Sequence, residues 1–364
     1  MFNLLLFCLV LQESPVPSKL VAEAAIGDDQ QWVFGVGTQC VVNAQGTMYL
    51  LDPASFQIQI FDEDFRSIGR FGRRGKGPGE FEEPKTLAMT PSGQLAVFDP
   101  TLKRMTLFDA KGMVLETHRL DSASVAIYQP AVLKNGNVAF LSARSDEGKP
   151  VYDITLYDPN LSHLKTLDRV FATPMDWQKA SQPRFWVDFL KNEMEMTAKG
   201  MPVLCSPDPS TILVARANRY EIALLNAEGD RKGNLRRKVK PLPMSDALKT
   251  AMFEEVWVRL ASDPFLANNM PESVFKRAVA EADTPPAARL IKAILPLADG
   301  FAVLVNYHPL KREGVLDLFA LDGTYLTTLG FEGPAHFLTG TRTHLYAIGP
   351  DLEDRIIVRR YRLE

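Results

Sequence analysis

A seven-residue segment recurs 47 residues further along this chain. Gly46-Thr47-Met48-Tyr49-Leu50-Leu51-Asp52 is answered by Gly93-Gln94-Leu95-Ala96-Val97-Phe98-Asp99. Phe61-Asp62 then aligns with Phe108-Asp109, and Phe65 with Gly112, at the same offset. Landmarks that hold one spacing without slippage mark a duplicated structural unit. A repeat of this length restricts the chain to architectures built by stacking one supersecondary unit, because a single copy cannot bury its own apolar faces.

Each copy is a succession of short apolar runs separated by turn residues. In the second copy Thr86-Leu87-Ala88-Met89 leads to Pro91-Ser92-Gly93, and Leu95-Ala96-Val97-Phe98 leads to Asp99-Pro100. Arg104 to Phe108 leads to Asp109-Ala110-Lys111-Gly112, and Val114-Leu115-Glu116-Thr117 makes a fourth run. Runs this short, bounded by Gly, Pro, Asp and Ser, read as strands and never reach helical length. Four strands in about 45 residues make one antiparallel propeller blade.

The segment Gly75-Lys76-Gly77-Pro78-Gly79-Glu80-Phe81, followed by Pro84, resembles the inter-blade loop of NHL-repeat propellers. Gly93, Asp99, Arg104, Phe108 and Gly112 stand where that repeat carries Gly, Asp, Arg, Phe and Gly. The first copy departs from it, with Gln57 or Gln59 near the arginine position. The resemblance covers residues 38–120. Together with the blade count it implies likeness to bacterial exported six-bladed propeller proteins.

The same turn grammar returns at Asn135-Gly136, Pro209-Ser210, Asp299-Gly300 and Arg342-Thr343. Six blades are therefore expected, an all-β six-bladed β-propeller of four-stranded antiparallel blades. Two of the intervals between turns are long, which places insertions at about 172–201 and 241–288. Only three strands are legible in the last blade, so Lys19-Leu20-Val21-Ala22-Glu23-Ala24 is expected to supply the fourth and close the ring. One propeller domain then spans 19–364.

Residues 1–18 read as a leader segment. The apolar stretch at 4–11 is too short to span a bilayer but suits a signal-peptide core. Export to a periplasmic or extracellular location is expected, with a lipid anchor at Cys8 disfavoured because Phe7 is not small. With Cys8 removed, Cys40 and Cys205 fall on blades one and four, opposite each other in a ring. They should be free buried thiols, since a disulfide needs Cα atoms within about 7 Å.

A net charge of −3 argues against a general nucleic-acid binder. Catalytic signatures are missing. The glycine-rich stretch at 72–79 runs into a strand and not into a helix N-terminus, so it is a blade connection and not a phosphate cradle. The five histidines show no zinc spacing, and Asp351, Glu353 and Asp354 lack the alternating ligands of a calcium loop. No cofactor, metal or catalytic residue is assigned.

The insertions hold what the repeat does not require. The first carries Trp177 and Trp186. The second reads as a helix from an N-cap at Ser245, with Leu248, Met252, Val256 and Leu260 at four-residue spacing and Trp257 beside them. A second helix is expected from Pro271. These helices either bury their stripes against one propeller face or build a docking surface over it. The expected function is a monomeric, non-catalytic binding or scaffold module for a protein, peptide or glycan, with Trp177, Trp186 and Trp257 as candidate contacts. The alternative is a metal-dependent hydrolase or lyase at the central channel.

Overall fold

The structure, a computed structural model, describes residues 17–364 except 28–30, 36, 121–123, 147–148, 262–267, 286, 298 and 342. The expected leader thus lies almost wholly outside the described residues. Six four-stranded antiparallel sheets follow one another around a ring. Strand β1 (Leu20–Ile26) comes first in the chain but belongs to the last blade. Blade one is β2 (Gln39–Val42), β3 (Met48–Asp52), β4 (Gln57–Phe61) and β5 (Ser67–Phe71). Blade two is β6 (Thr86–Met89), β7 (Leu95–Asp99), β8 (Arg104–Phe108) and β9 (Val114–Arg119). Blade three is β10 (Ser124–Val132), β11 (Val138–Asp146), β12 (Lys149–Tyr157) and β13 (His163–Phe171). Blade four is β14 (Pro202–Asp208), β15 (Thr211–Arg216), β16 (Glu221–Asn226) and β17 (Arg231–Arg236). Blade five is β18 (Ile291–Leu297), β19 (Gly300–His308), β20 (Glu313–Ala320) and β21 (Tyr325–Glu332). In blade six, β22 (Phe337–Gly340), β23 (His344–Pro350) and β24 (Ile356–Leu363) are completed by β1.

The first strands of neighbouring blades, β2, β6, β10, β14, β18 and β22, touch in succession around the centre, and β22 meets β2 again. Each blade therefore runs from the axis outwards. Its sheet faces point at its neighbours, so alternate side chains of one strand must enter two different cores. Strand β3 shows this: Met48 and Leu50 pack with Tyr346 and Val358 of blade six, while Tyr49 and Leu51 pack with Leu87 and Val97 of blade two. Six such apolar clusters fill the six gaps between blades. This explains the continuous apolar runs in second strands, which are buried on both faces.

The repeat is legible because its turns have fixed chemistry. The Asp62 carboxylate accepts the backbone N–H groups of Asp64 and Arg66 at 3.0 and 2.8 Å, and Asp109 does the same for Lys111 and Met113 at 2.9 and 2.8 Å. Asp158 and Asn226 repeat the device in blades three and four. These side chains replace a backbone turn partner, which is why Asp or Asn recurs there. The Phe65/Gly112 position has φ of 61° and 84°. A Cβ on Gly112 would lie 2.2 Å from the Phe71 ring, so only glycine fits the second copy.

In blades one to five the turn is followed by a bulge in the outermost strand, and in blade six β1, first in the chain, carries a bulge of its own. Phe108 pairs with Val114 and Leu107 with Glu116, so Leu115 is extra. By the same register shift Ile68, Leu164, Lys232, Leu326 and Glu23 are the extra residues in blades one, three, four, five and six. Bulges twist edge strands away from edge-to-edge pairing. The sequence repeat contains these positions, yet their role appears only in the register.

The loop at 72–85 is a blade connection. The Arg104 guanidinium donates to the carbonyls of Lys76, Gly77 and Glu80 at 3.0, 2.9 and 2.6 Å, and Asp99 accepts from the N–H groups of Glu82, Glu83 and Leu102. Cys40 and Cys205 are free and buried, and burial pushes both thiols well above the ordinary range. They behave as small core residues.

Gly112→Ala should destabilise the protein by about 1–3 kcal/mol through a strained φ and a clash with Phe71. Arg104→Ala should remove the guanidinium that donates to three of the loop's carbonyls and raise hydrogen exchange locally at 76–80. Urea unfolding and exchange mass spectrometry measure the two effects.

Candidate binding site

Chain direction alternates within a blade, so fourth-to-first and second-to-third strand connections emerge on one face of the ring. Both long connections, 172–201 between β13 and β14 and 237–290 between β17 and β18, are fourth-to-first connections. They rise from the same face on either side of blade four. The first holds a short 3₁₀ turn (Trp177–Lys179) and α1 (Pro183–Lys199); the second holds α2 (Asp246–Ala261) and α3 (Glu272–Glu281). Ser245 caps α2, its Oγ accepting the Leu248 N–H at 3.2 Å, and Pro271 precedes α3. Helix α1 was not read from the sequence, although Trp186, Leu190 and Met194 carry a four-residue spacing that would have shown it.

The three helices pack chiefly on one another. Phe185, Trp186, Leu190 and Met194 of α1 meet Phe253 and Val256 of α2 and Val274 and Ala278 of α3 in a seventh apolar cluster made only of insertion residues. The stripes are therefore buried within a helical lobe of their own. Polar ties lock it. Lys249, buried on α2, donates to the Ala282 carbonyl at the end of α3 at 2.6 Å, where a cation also suits the helix dipole. Arg184 on α1 pairs with Glu281 on α3.

Two side-chain pairs are among the contacts that seat the lobe on the propeller. The Tyr152 hydroxyl, on β12, donates to Glu193 of α1 at 2.7 Å. Lys292, on the innermost strand of blade five, lies 2.8 Å from Glu255 of α2 and 5.3 Å above the Tyr307 ring. Burial, the largest single influence, would raise the Glu255 carboxyl, but the Lys292 ammonium beside it, joined by His336 and Arg289, holds it below the ordinary carboxylate range.

Between α1 and the neighbouring segments 173–179 and 282–285 the lobe leaves an open cleft of about 670 Å³. Phe185, Met194, Met175 and Phe253 contribute its apolar lining, and its polar lining is of mixed charge, with Lys179, Arg184 and Lys191 beside Asp176, Asp188, Glu195 and Asp283. Among the described residues Lys191 has no ion-pair partner, although Asp188 and Glu195 lie three and four positions away on its helix. The sequence candidates divide. Trp186 is 2% exposed and donates to the Ala180 carbonyl at 2.7 Å, so it sits in the lobe's interior. Trp257 is half-buried, donating to the Met270 carbonyl at 3.1 Å and lying against Phe275. Trp177 is 53% exposed, its ring held by Phe185, Trp186 and Phe189.

Elsewhere the buried carboxylates are fully engaged. Asp153 accepts from Ser142, Arg144 and Arg169, while Asp317 accepts from Tyr220 and Thr328 and forms an ion pair with Arg237. Asp153 thus ties strands within blade three, and Asp317 links blade five to blade four. Among the described residues no three metal-ligating side chains converge.

Fold and connectivity define a six-bladed β-propeller with a helical lobe on one face. The DUF5128 family model, described as a 6-bladed beta-propeller, matches residues 33–168. A member of the DUF4221 family from Bacteroides vulgatus is similar, with a TM-score of 0.53 and 11% identity over 95% of this chain and 98% of its own. A candidate exported protein from Bacteroides fragilis follows at TM-score 0.49 and 13% identity, covering 96% and 95%. A gluconolactonase from Xanthomonas campestris follows at 0.45 and 11%, covering 96% and 98%. No curated protein sequence matches. At these identities the likeness is one of fold.

The Glu255–Lys292 pair makes the lobe acid-sensitive. The carboxyl is depressed in the folded state, so its contribution is present above the unfolded value of about 4.3 and is lost as pH falls through the lower folded value. Acidification below about pH 4 should therefore loosen the lobe, and Glu255→Gln should abolish that transition. Fluorescence of Trp257, on the same helix, reports it.

Proposed function

We propose that this protein is a non-catalytic binding propeller that recognises a protein, peptide or glycan partner through the cleft of its helical lobe. The observation that carries the reading is the convergence of both insertions on one face, where they build an open cleft beside an exposed, rigidly held tryptophan. Trp177 offers a large contact area at little entropic cost, because its ring is already fixed by three aromatic neighbours. Lys191 offers an unpaired cation next to an apolar lining, suited to a carboxylate adjoining an apolar group.

Export is part of the same reading. Its support is the apolar stretch at 4–11; among the described residues no helix is long and apolar enough to cross a membrane. The NHL-like pattern of Asp99, Arg104 and the 75–81 loop supports descent from NHL-type repeats, and its residues serve blade packing.

Panning a peptide-display library and a glycan array against the protein tests the proposal. Ligands selected by the wild type should lose roughly tenfold or more in affinity with Trp177→Ala and with Lys191→Glu, the scale of a buried anchor residue. Ligands indifferent to both substitutions would overturn the cleft assignment. Stoichiometric zinc or calcium by elemental analysis, with turnover of a lactone or ester, would replace the reading by a metal-dependent hydrolase or lyase.

A further inference from the structure

Blade four differs from the other five in the charge of its outer edge. Residues 216–240 contain eight basic and three acidic side chains, in a chain whose net charge is −3. The basic residues concentrate on β17 and the segment leaving it, Arg231-Lys232-Gly233-Asn234-Leu235-Arg236-Arg237-Lys238-Val239-Lys240. Two of them are spent within the fold: Arg236 pairs across the sheet with Glu221 at 2.7 Å, and Arg237 pairs with buried Asp317 at 2.7 Å. Lys232, Lys238 and Lys240 are exposed and have no acidic partner among the described residues.

β17 is the last strand of its sheet, paired only with β16. Its outward backbone groups are thus available along 233–236, beyond the bulge at Lys232. Space beside Gly233 is open, with no atom within 4 Å of where a Cβ would stand. No other outer strand combines a free edge with basic side chains and no acidic one: β9 carries Glu116, β13 Asp168, β21 Glu332 and β1 Glu23, while β5 has a single arginine. Lysines on an edge repel neutral or basic strands, which would have to desolvate the ammonium groups. The same lysines favour an acidic strand, whose carboxylates neutralise them while its backbone completes the ladder.

We propose that the free edge of β17 is a docking strand for an extended acidic segment of another protein, separate from the lobe cleft. Backbone pairing would supply register and the lysines selectivity. A linear polyanion could satisfy the charges, but it would leave the strand's backbone groups unused.

Fluorescence anisotropy with a labelled peptide alternating Glu and Thr tests this on the full chain. The peptide should bind at low salt, weaken as salt rises, and lose roughly tenfold in affinity to the doubly exposed variant Lys232→Glu/Lys238→Glu. Its Gln-for-Glu counterpart should not bind, and neither should the Glu peptide N-methylated at consecutive residues, which leaves neither of its edges able to donate to a strand. Trp177→Ala should leave the interaction unchanged, separating it from the cleft. Absence of binding at low salt would overturn the proposal. So would undiminished binding of the N-methylated peptide, or polygalacturonate displacing the peptide from the variant and the wild type alike, since either marks a general polyanion surface.

Discussion

Everything in this molecule depends on the pairing of β1 with β24. A blade exposes two apolar faces, and each is covered only by the next blade, so an open row of six would leave two faces in water. Closing the ring removes both. The closure is made by chain ends far apart in sequence: Leu20 stands opposite Leu363 and Ile26 opposite Val358. It is reinforced where the bulge residue Glu23 meets Arg360 at 3.1 Å and Arg362 at 2.9 Å. Ser18 and Lys19 add backbone bonds to Glu364. The cost of bringing distant ends together is entropic and grows slowly with loop length. Blades that build the ring in order make most of it in advance, so the final pairing acts as a clasp.

That clasp explains why the six inter-blade clusters are similar in kind and different in content. The gap between blades six and one buries Cys40, Phe61 and Tyr346; that between four and five uses Phe301, Phe319 and Tyr220. What is conserved from blade to blade is the turn that positions each strand, because turn geometry tolerates few residues whereas a core tolerates any set of the right volume. This is why the 47-residue echo is sharp in blades one and two at Asp62/Asp109, yet weak at positions that only need to be apolar.

The same contrast decides what could be read from the amino acids alone. Six blades, the closing strand, the free buried thiols and the Ser245 cap all follow from local rules of turns, alternation and capping. Helix α1 did not follow, since its apolar residues were weighed as aromatic content and not as a period. Nor did the division of Trp177, Trp186 and Trp257, because exposure depends on which insertion packs on which. Trp186 is interior because α2 and α3, far downstream in the chain, cover its face. The bulges were invisible for another reason: a bulge is a property of pairing register, and one strand's sequence does not contain its partner's count.

Topology then restricts where function can be placed. An insertion between the fourth strand of one blade and the first of the next must emerge on one face, and two such insertions flanking a single blade must emerge close together. Their helices had apolar stripes that neither could bury alone, so meeting each other was the lowest-cost outcome, and the lobe arose with its own core. A lobe with its own apolar core, tied to the ring by pairs such as Glu255–Lys292, can change its surface without disturbing the ring. Blade four is flanked by the two insertions that build the lobe, and its outer strand and the segment leaving it carry Lys232, Lys238 and Lys240 without acidic partners among the described residues, which places two chemically distinct surfaces around one blade. The remaining blades keep the turn rules and supply the rigid frame. Variation in binding should accordingly concentrate in the residues around blade four, where the repeat imposes the fewest demands.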